Sequence, residues 1–288
     1  MHKHVFHNDK VLPLAQVRLS PGQAGLLSGW GIFTTIRIYE GQAFAFERHW
    51  SRLHRDAERI HLPFDFSSQA VAEALRQVIE ANAVSEGCAR IYFVNNKAGF
   101  WCSDEPCPPT DLLIFTNDLP VFPSPTKLAL QENGRHAAHP LAGTKVISWL
   151  HNVWSLDQAR RRGFDEVILL NERGELTECT AANLFCVHGG RVTTPPLSSG
   201  CLAGVTREVL LETGGQANLP IQEKALSVKE LYEAEEVFIT STSRELLPVS
   251  QIEDHRVPQA PGPATTRLSK AFSNYLADYF TQSAKHSR

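Results

Sequence analysis

The reading of this chain turns on Lys145-Val-Ile-Ser-Trp-Leu-His-Asn-Val153. It continues through Gln158-Ala-Arg-Arg-Arg-Gly-Phe-Asp-Glu-Val-Ile-Leu-Leu170 to Leu176-Thr-Glu-Cys-Thr-Ala-Ala-Asn-Leu-Phe185. Residues 148–162 are expected to form a helix, because Gly163 behind them suits the left-handed residue that ends one. Residues 166–170 form an unbroken apolar run, the pattern of a strand buried on both faces. Asn171-Glu-Arg-Gly174 reads as a turn, and residues 183–187 as a further strand. A lysine therefore precedes a helix, and Glu178 follows that helix at the far side of a strand and a turn.

Working outward, Leu119-Pro-Val-Phe-Pro-Ser-Pro125 contains three prolines and is the best linker candidate. It divides the chain into a small N-terminal part (1–118), a linker (119–126) and a larger C-terminal part (127–288). In the first part, residues 11–20 read as a strand then a turn. Gly31-Ile-Phe-Thr-Thr-Ile-Arg-Ile-Tyr39 and Gln42-Ala-Phe-Ala-Phe46 flank Glu40-Gly41 as a hairpin. From His49 the period turns helical, with Trp50, Leu53, Ala57 and Ile60 on one stripe. A second amphipathic helix spans 68–83, with Val71, Leu75, Val78 and Ile79, and strands follow at 89–94 and 111–115. In the second part, strands are expected at 127–131 and 237–242, and a helix begins at Thr206. Leu268, Phe272, Tyr275, Leu276, Tyr279 and Phe280 give the last helix an apolar stripe, which is read as packing. The class is mixed α/β (α+β).

Composition narrows the function. The chain has 288 residues, 42% apolar and 20% charged, enough for a sizeable core. A formal charge of −3 lacks the basic excess of a nucleic-acid protein. Six cysteines form no C-x-x-C pair, so zinc-ribbon and redox motifs are excluded, and thiols in a reducing cytosol are the default. Residues 1–10 have no apolar core of a signal peptide, and no run is long enough to span a bilayer. The chain is read as cytoplasmic, with no membrane, nucleic-acid or metal partner. His2, His4 and His7 are read as solvated residues around a first strand.

The motifs, taken together, resemble the class IV aminotransferases, the fold-type IV enzymes that use pyridoxal 5'-phosphate (PLP). That family includes branched-chain and D-amino-acid aminotransferases and aminodeoxychorismate lyase. The resemblance runs over nearly the whole chain and rests on five motifs in order: an arginine on the first long helix, the lysine, the glutamate, a G-[IV]-T-R turn and a late threonine turn. It implies a two-domain fold with the cofactor in the cleft, a homodimer, and the following site.

Lys145 aligns with the lysine that holds the cofactor as a Schiff base and shuttles the substrate Cα proton, which needs an amine of poised pKa. A surface lysine is the plain alternative. Among nine lysines, position before a helix and spacing to Glu178 single out Lys145. Glu178 aligns with the carboxylate that pairs with the pyridine nitrogen, against an exposed strand-end glutamate. Arg52, in Arg48-His-Trp-Ser-Arg-Leu-His-Arg-Asp-Ala57, aligns with the phosphate arginine, whose fork suits an oxyanion. Its neighbours Arg48, Arg55 and Arg59 lack the register. Val205 and Thr206, in Gly204-Val-Thr-Arg207, would give phosphate contacts at a helix start, although Thr206 also reads as an ordinary cap. Thr242, in Ser241-Thr242-Ser243, would give a third contact, with Ser241 and Ser243 beside the substrate.

Two departures stand out. Trp149 occupies the position where the family commonly has a tyrosine beside the cofactor's phenolic oxygen, and an indole can donate but not accept or ionise. Ser241 replaces a glycine near the substrate carboxylate.

The resemblance implies an amino-group transfer from a small, branched-chain-like amino acid to a 2-oxo acid. The alternative is aminodeoxychorismate lyase chemistry, releasing pyruvate and p-aminobenzoate. Phe33-Thr34-Thr35-Ile-Arg37 and Arg90 look lyase-like, while Gly204-Val-Thr-Arg207 and the Thr242 turn look like the aminotransferases. Thr35, Arg37 and Arg90 are substrate-binding candidates under either reading, with a plain strand-surface charge as the alternative for the arginines. A non-catalytic PLP-binding protein is a third reading, and the pairing of Lys145 with Glu178 speaks against it. Trp30, Phe100 and Trp101 read equally as pocket lining, core or interface.

Overall fold

The computed structural model describes residues 1–96 and 107–286. It divides into two compact units, Met1–Pro120 with Thr144–Trp149, and Val121–Gly143 with Leu150–Arg288. The boundary at Pro120 falls inside the proline-rich stretch expected as a linker. Thr144–Trp149, expected in the second part, clusters with the first unit. Phe100 and Trp101 lie outside the described residues.

The first unit holds a six-stranded antiparallel sheet. Its strands are β1 (His4–His7), β2 (Lys10–Pro13), β3 (Gly31–Tyr39), β4 (Gln42–Ala43), β5 (Gly87–Asn95) and β6 (Thr110–Asn117), in the order β2-β1-β6-β5-β3-β4. Three helices accompany it: α1 (Ala24–Ser28), α2 (Phe46–Arg59) and α3 (Ser68–Ala81). On β3 the residues alternate, so Ile32, Ile36 and Ile38 face the core. Helix α3 meets them with Val71, Ala74, Leu75, Val78 and Ile79, an i, i+3, i+4, i+7, i+8 stripe. Its start is fixed by Ser67, whose hydroxyl accepts from the Ala70 N–H at 3.1 Å. The opposite face of β3 carries Phe33, Thr35, Arg37 and Tyr39, and the β3–β5 register sets Thr35 against Arg90 and Phe33 against Tyr92.

The expected strand 42–46 is cut short. Phe44 and Ala45 are both buried, which breaks the alternation, Ala45 turns left-handed at φ 53°, and α2 begins at Phe46.

The second unit is built on strands β7 (Thr126–Gln131), β8 (Glu166–Leu170), β9 (Leu176–Cys179), β10 (Asn183–His188), β11 (Arg191–Thr194), β12 (Ile221–Glu223), β13 (Glu236–Ser241), β14 (Glu245–Ile252) and β15 (His255–Arg256). Its helices are α4 (Leu150–Arg161), α5 (Val205–Thr213), α6 (Val228–Tyr232) and α7 (Pro263–His286). The strand order is β12-β11-β10-β13-β14-β7-β8-β9, and β9 pairs back onto β10 through Glu178 and Asn183. Six strands thus close on themselves. β8 is buried at every residue, as its unbroken apolar run requires. Gly163, at φ 87°, follows the end of α4. The stripe of α7 is buried at Leu268 and Phe272 and half-buried at Tyr275, Leu276, Tyr279 and Phe280. No described helix is long and apolar enough to cross a membrane. Among the described residues no group of three or more His, Cys, Asp or Glu could hold a metal ion.

Candidate functional site

In the first unit Lys145 and Trp149 lie at the start of β3. The segment around Lys145 runs alongside that strand. The Phe33 N–H donates to the Lys145 carbonyl at 3.0 Å and the Ile147 N–H to the Gly31 carbonyl at 3.0 Å. The amine of Lys145 lies 4.6 Å from the centre of the Phe33 ring. Trp149 meets Phe33 edge-on at 6.0 Å, and Phe33 stacks on Tyr92 at 5.2 Å. Thr35, Arg37 and Arg90 follow further along the sheet face that bears Phe33.

Helix α2 supplies the groups on the other side of β3. Arg52 is buried, whereas Arg55 and Arg59 of the same helix are exposed. Its Nη2 donates to Thr34 Oγ1 at 2.8 Å, and the same hydroxyl bonds His49 Nδ1 at 2.8 Å. The Thr34 oxygen accepts from Arg52, and the imidazole tautomer sets which of Thr34 and His49 donates to the other. Burial first, then the positive charges of Arg52 and Lys145, hold His49 well below its ordinary pKa. Asp56, one turn beyond Arg52, is fully buried and accepts the main-chain N–H of Lys145 at 3.2 Å. Burial raises its pKa, opposed by that N–H and by Arg52, Arg55 and Arg59.

The two substrate arginine candidates differ. Arg37 is buried, donates to Glu86 at 2.8 Å and to the Gly87 carbonyl at 3.1 Å, and lies over the Tyr39 ring. Arg90 is half-buried, and its side chain makes one hydrogen bond among the described residues, to the Tyr92 hydroxyl at 3.4 Å. Trp30 donates its indole N–H to the Ile60 carbonyl at 3.0 Å.

In the second unit Glu178 lies at the strand closure. Its Oε1 faces Arg135 Nε at 3.2 Å, and its Oε2 accepts the Leu202 N–H at 3.1 Å. Arg135 also donates to Asn152 Oδ1 at 3.2 Å, and Asn152 to the Thr180 carbonyl at 2.6 Å. Asn183, paired with Glu178, donates to the Leu202 carbonyl at 2.9 Å. Its Oδ1 approaches Gly204 so closely that a β-carbon there would stand 2.1 Å away. A side chain there would push Asn183 aside from its bond to Leu202, and after Gly204 the chain enters α5 at Val205.

That helix start is open. Gly204 provides no side-chain cap, and neither the N–H groups of Val205 and Thr206 nor the Thr206 hydroxyl is engaged by a described residue. Arg207 is spent on Glu223 and on the Pro195 carbonyl at 2.9 Å. At the hairpin between β13 and β14, the hydroxyls of Thr242 and Ser243 likewise have no partner among the described residues. The Ser241 hydroxyl accepts from the Arg244 N–H at 3.3 Å. Arg244 is tied to the buried Glu166 at 3.0 Å, to the Ala181 carbonyl at 3.1 Å, and packs over Phe122. Glu166 in turn accepts from the Thr180 hydroxyl.

The sequence reading picked out none of His49, Asp56, Arg135 or Arg244. Each acts through a contact distant in the chain, so no local motif marks it.

The sequence model for amino-transferase class IV matches residues 31–252. The chain is 26% identical over 274 residues to a putative branched-chain-amino-acid aminotransferase of Methanocaldococcus jannaschii, covering 94% of this chain and 95% of that one. It is 28% identical over 282 residues to the aminodeoxychorismate lyase of Bacillus subtilis, covering 94% of each. The crystal structure of the Escherichia coli branched-chain amino acid aminotransferase superposes with a TM-score of 0.88 at 25% identity, covering 95% of this chain and 94% of that one.

Proposed function

The chain belongs to the class IV aminotransferases, and on that premise we propose that it transfers the amino group of a small, branched-chain-like amino acid to a 2-oxo acid. Class IV aminotransferases depend on pyridoxal 5'-phosphate, which, when bound, supplies an electron sink for the substrate's Cα. The donor set fits that group. The first unit supplies the buried guanidinium of Arg52, and in the second the open start of α5 and the Thr206 and Thr242 hydroxyls, unengaged among the described residues, suit a phosphate. The observation that carries the proposal is Lys145, its amine over Phe33 and its main chain held both by β3 and by Asp56 of α2, the helix that also bears the buried Arg52.

In this reading the Lys145 amine is the nucleophile, and its Nζ takes the proton from the substrate Cα and returns it. Arg52 binds the phosphate through its guanidinium, aided by the Val205 and Thr206 N–H groups and the hydroxyls of Thr206 and Thr242. Glu178 accepts the ring nitrogen's proton in a hydrogen bond, its carboxylate oriented by Arg135 and the Leu202 N–H. Trp149, packed against Phe33, excludes water beside Lys145 without offering an ionisable group. Thr35, Arg90, Ser241 and Ser243 line the substrate, and Arg37 supports their sheet face through Glu86.

A homodimer completes the proposal. Leu150, Val153 and Trp154 are exposed at 79%, 52% and 54% on one stripe of α4, an apolar face suited to a second copy of this chain.

The loaded protein, mixed with L-leucine and no 2-oxo acid, should release one 2-oxo acid per active site and lose its visible absorption. L-glutamate and D-alanine in parallel give the hand and size of the donor. Arg90, a guanidinium with one long hydrogen bond among the described residues, favours a carboxylate-bearing substrate and keeps a second reading. Release of p-aminobenzoate and pyruvate from aminodeoxychorismate, with no response to any of the three amino acids, would make the protein a lyase.

A further inference from the structure

We propose that Asp56 is a positioning residue for Lys145, fixing the lysine's main chain from helix α2. The inference rests on the proposed role of Lys145. Asp56 is 0% exposed, and its Oδ1 has no hydrogen-bond partner among the described residues. Its helix neighbours Leu53 and Ala57 already supply the apolar packing of this turn. A buried carboxyl with one oxygen unpartnered is costly, so a reason for it is sought in what it does touch. That contact is the Lys145 N–H, 3.2 Å from Oδ2 and 89 residues away in sequence.

A second contact from the same helix supports the first. Arg59 Nη1 donates to Thr144 Oγ1 at 3.2 Å, one residue before the lysine. Positions 52, 56 and 59 follow i, i+4, i+7 spacing and share one face of α2. One helix face thus carries the arginine assigned to the phosphate and two grips on the lysine's segment. From the opposite side, β3 holds the Lys145 carbonyl through the Phe33 N–H at 3.0 Å. Both main-chain polar groups of Lys145 are therefore fixed, one by α2 and one by β3. Only side-chain torsions remain for the amine to move, which confines it near where a reacting carbon must sit.

The test compares Asp56→Ala with Asp56→Asn, which keeps a side-chain oxygen able to accept from the Lys145 N–H. The first readout is hydrogen exchange of the Lys145 amide in cofactor-free protein. Asp56→Ala should exchange about threefold to tenfold faster than wild type, as expected for losing one hydrogen bond, and Asp56→Asn should exchange as wild type does. In loaded protein, Asp56→Ala should lower kcat by about 10- to 100-fold with little change in KM, and Asp56→Asn should recover most of that loss. Unaltered Lys145 exchange in Asp56→Ala overturns the inference, as does an Asn variant no better than Ala. If Asp56→Ala does not fold, Asp56→Ser, too short to keep the contact, takes its place with the same expectations. A wild-type protein that takes up no pyridoxal phosphate counts against the proposed function alone, because the exchange readout still decides the role of Asp56.

Discussion

Arg135 Nε lies 3.2 Å from Oε1 of Glu178, and the two residues are 43 positions apart in the chain. This pair holds the carboxylate assigned to the pyridine nitrogen, together with the Leu202 N–H on the other oxygen. Arg135 is itself held by Asn152 of α4. Glu178 is thus set by three separate parts of its unit, and its direction does not depend on its own strand alone.

Replacing Arg135 by Met keeps the volume and removes the donor. Glu178 then keeps one of its two donors in a buried place. Losing a charged partner there should cost about 1–3 kcal/mol of stability. The affinity for pyridoxal phosphate should fall with it, while Arg135→Lys keeps the charge and part of the affinity. Urea unfolding and a cofactor titration measure the two effects. A Met variant matching wild type in both would show that Arg135 does not serve Glu178.

His49 gives a pH dependence of known sign. Its folded pKa is depressed, while the unfolded ring titrates near 6.5. Between those values the unfolded chain binds more protons than the folded one, so stability rises with pH. The contribution is complete above about pH 6.5 and is lost as pH falls toward the folded pKa, at up to about 1.4 kcal/mol per pH unit. Asn at this position can still bond Thr34 but cannot titrate. The stability gap between wild type and His49→Asn should therefore be constant above pH 7 and shrink below pH 6.5. Parallel curves across that range would show that the ring is not held neutral by its burial.

The α4 face should govern assembly. Trp154 is half exposed beside Leu150 and Val153, and a charge placed there opposes burial against a second copy. Trp154→Glu should sediment as a monomer at concentrations where wild type is a dimer, with each monomer still folded. A wild-type monomer, or a Glu variant of unchanged mass, would place the contact elsewhere or nowhere.

Much of this fold was legible where the pattern is local. The stripe of α3, the apolar run of β8 and the glycine behind α4 each encode their element within a few residues. Residues 42–46 misled because Phe44 and Ala45 are both buried, and an apolar run does not distinguish a strand from the entry to a helix. The candidate site divides in the same way. Lys145, Arg52 and Glu178 become candidates through the motifs that carry the family resemblance. Asp56, His49 and Arg135 do not, because each is defined by a partner that only the fold supplies. Asp56 reads in sequence as one more charge on an amphipathic helix, and its burial beneath the Lys145 N–H follows from α2 packing beside β3. The placement of Thr144–Trp149 with the first unit has the same origin, since its strand partner, β3, lies more than a hundred residues upstream.

The identity of the reactive lysine is the claim on which the rest depends, and one measurement tests it directly. The purified protein is loaded with pyridoxal phosphate, reduced with borohydride, digested and mapped by mass. The phosphopyridoxyl mass is expected on the peptide containing Lys145 and on no other, with the label absent from a folded Lys145→Ala variant. A label on another lysine, or none on any, would contradict it.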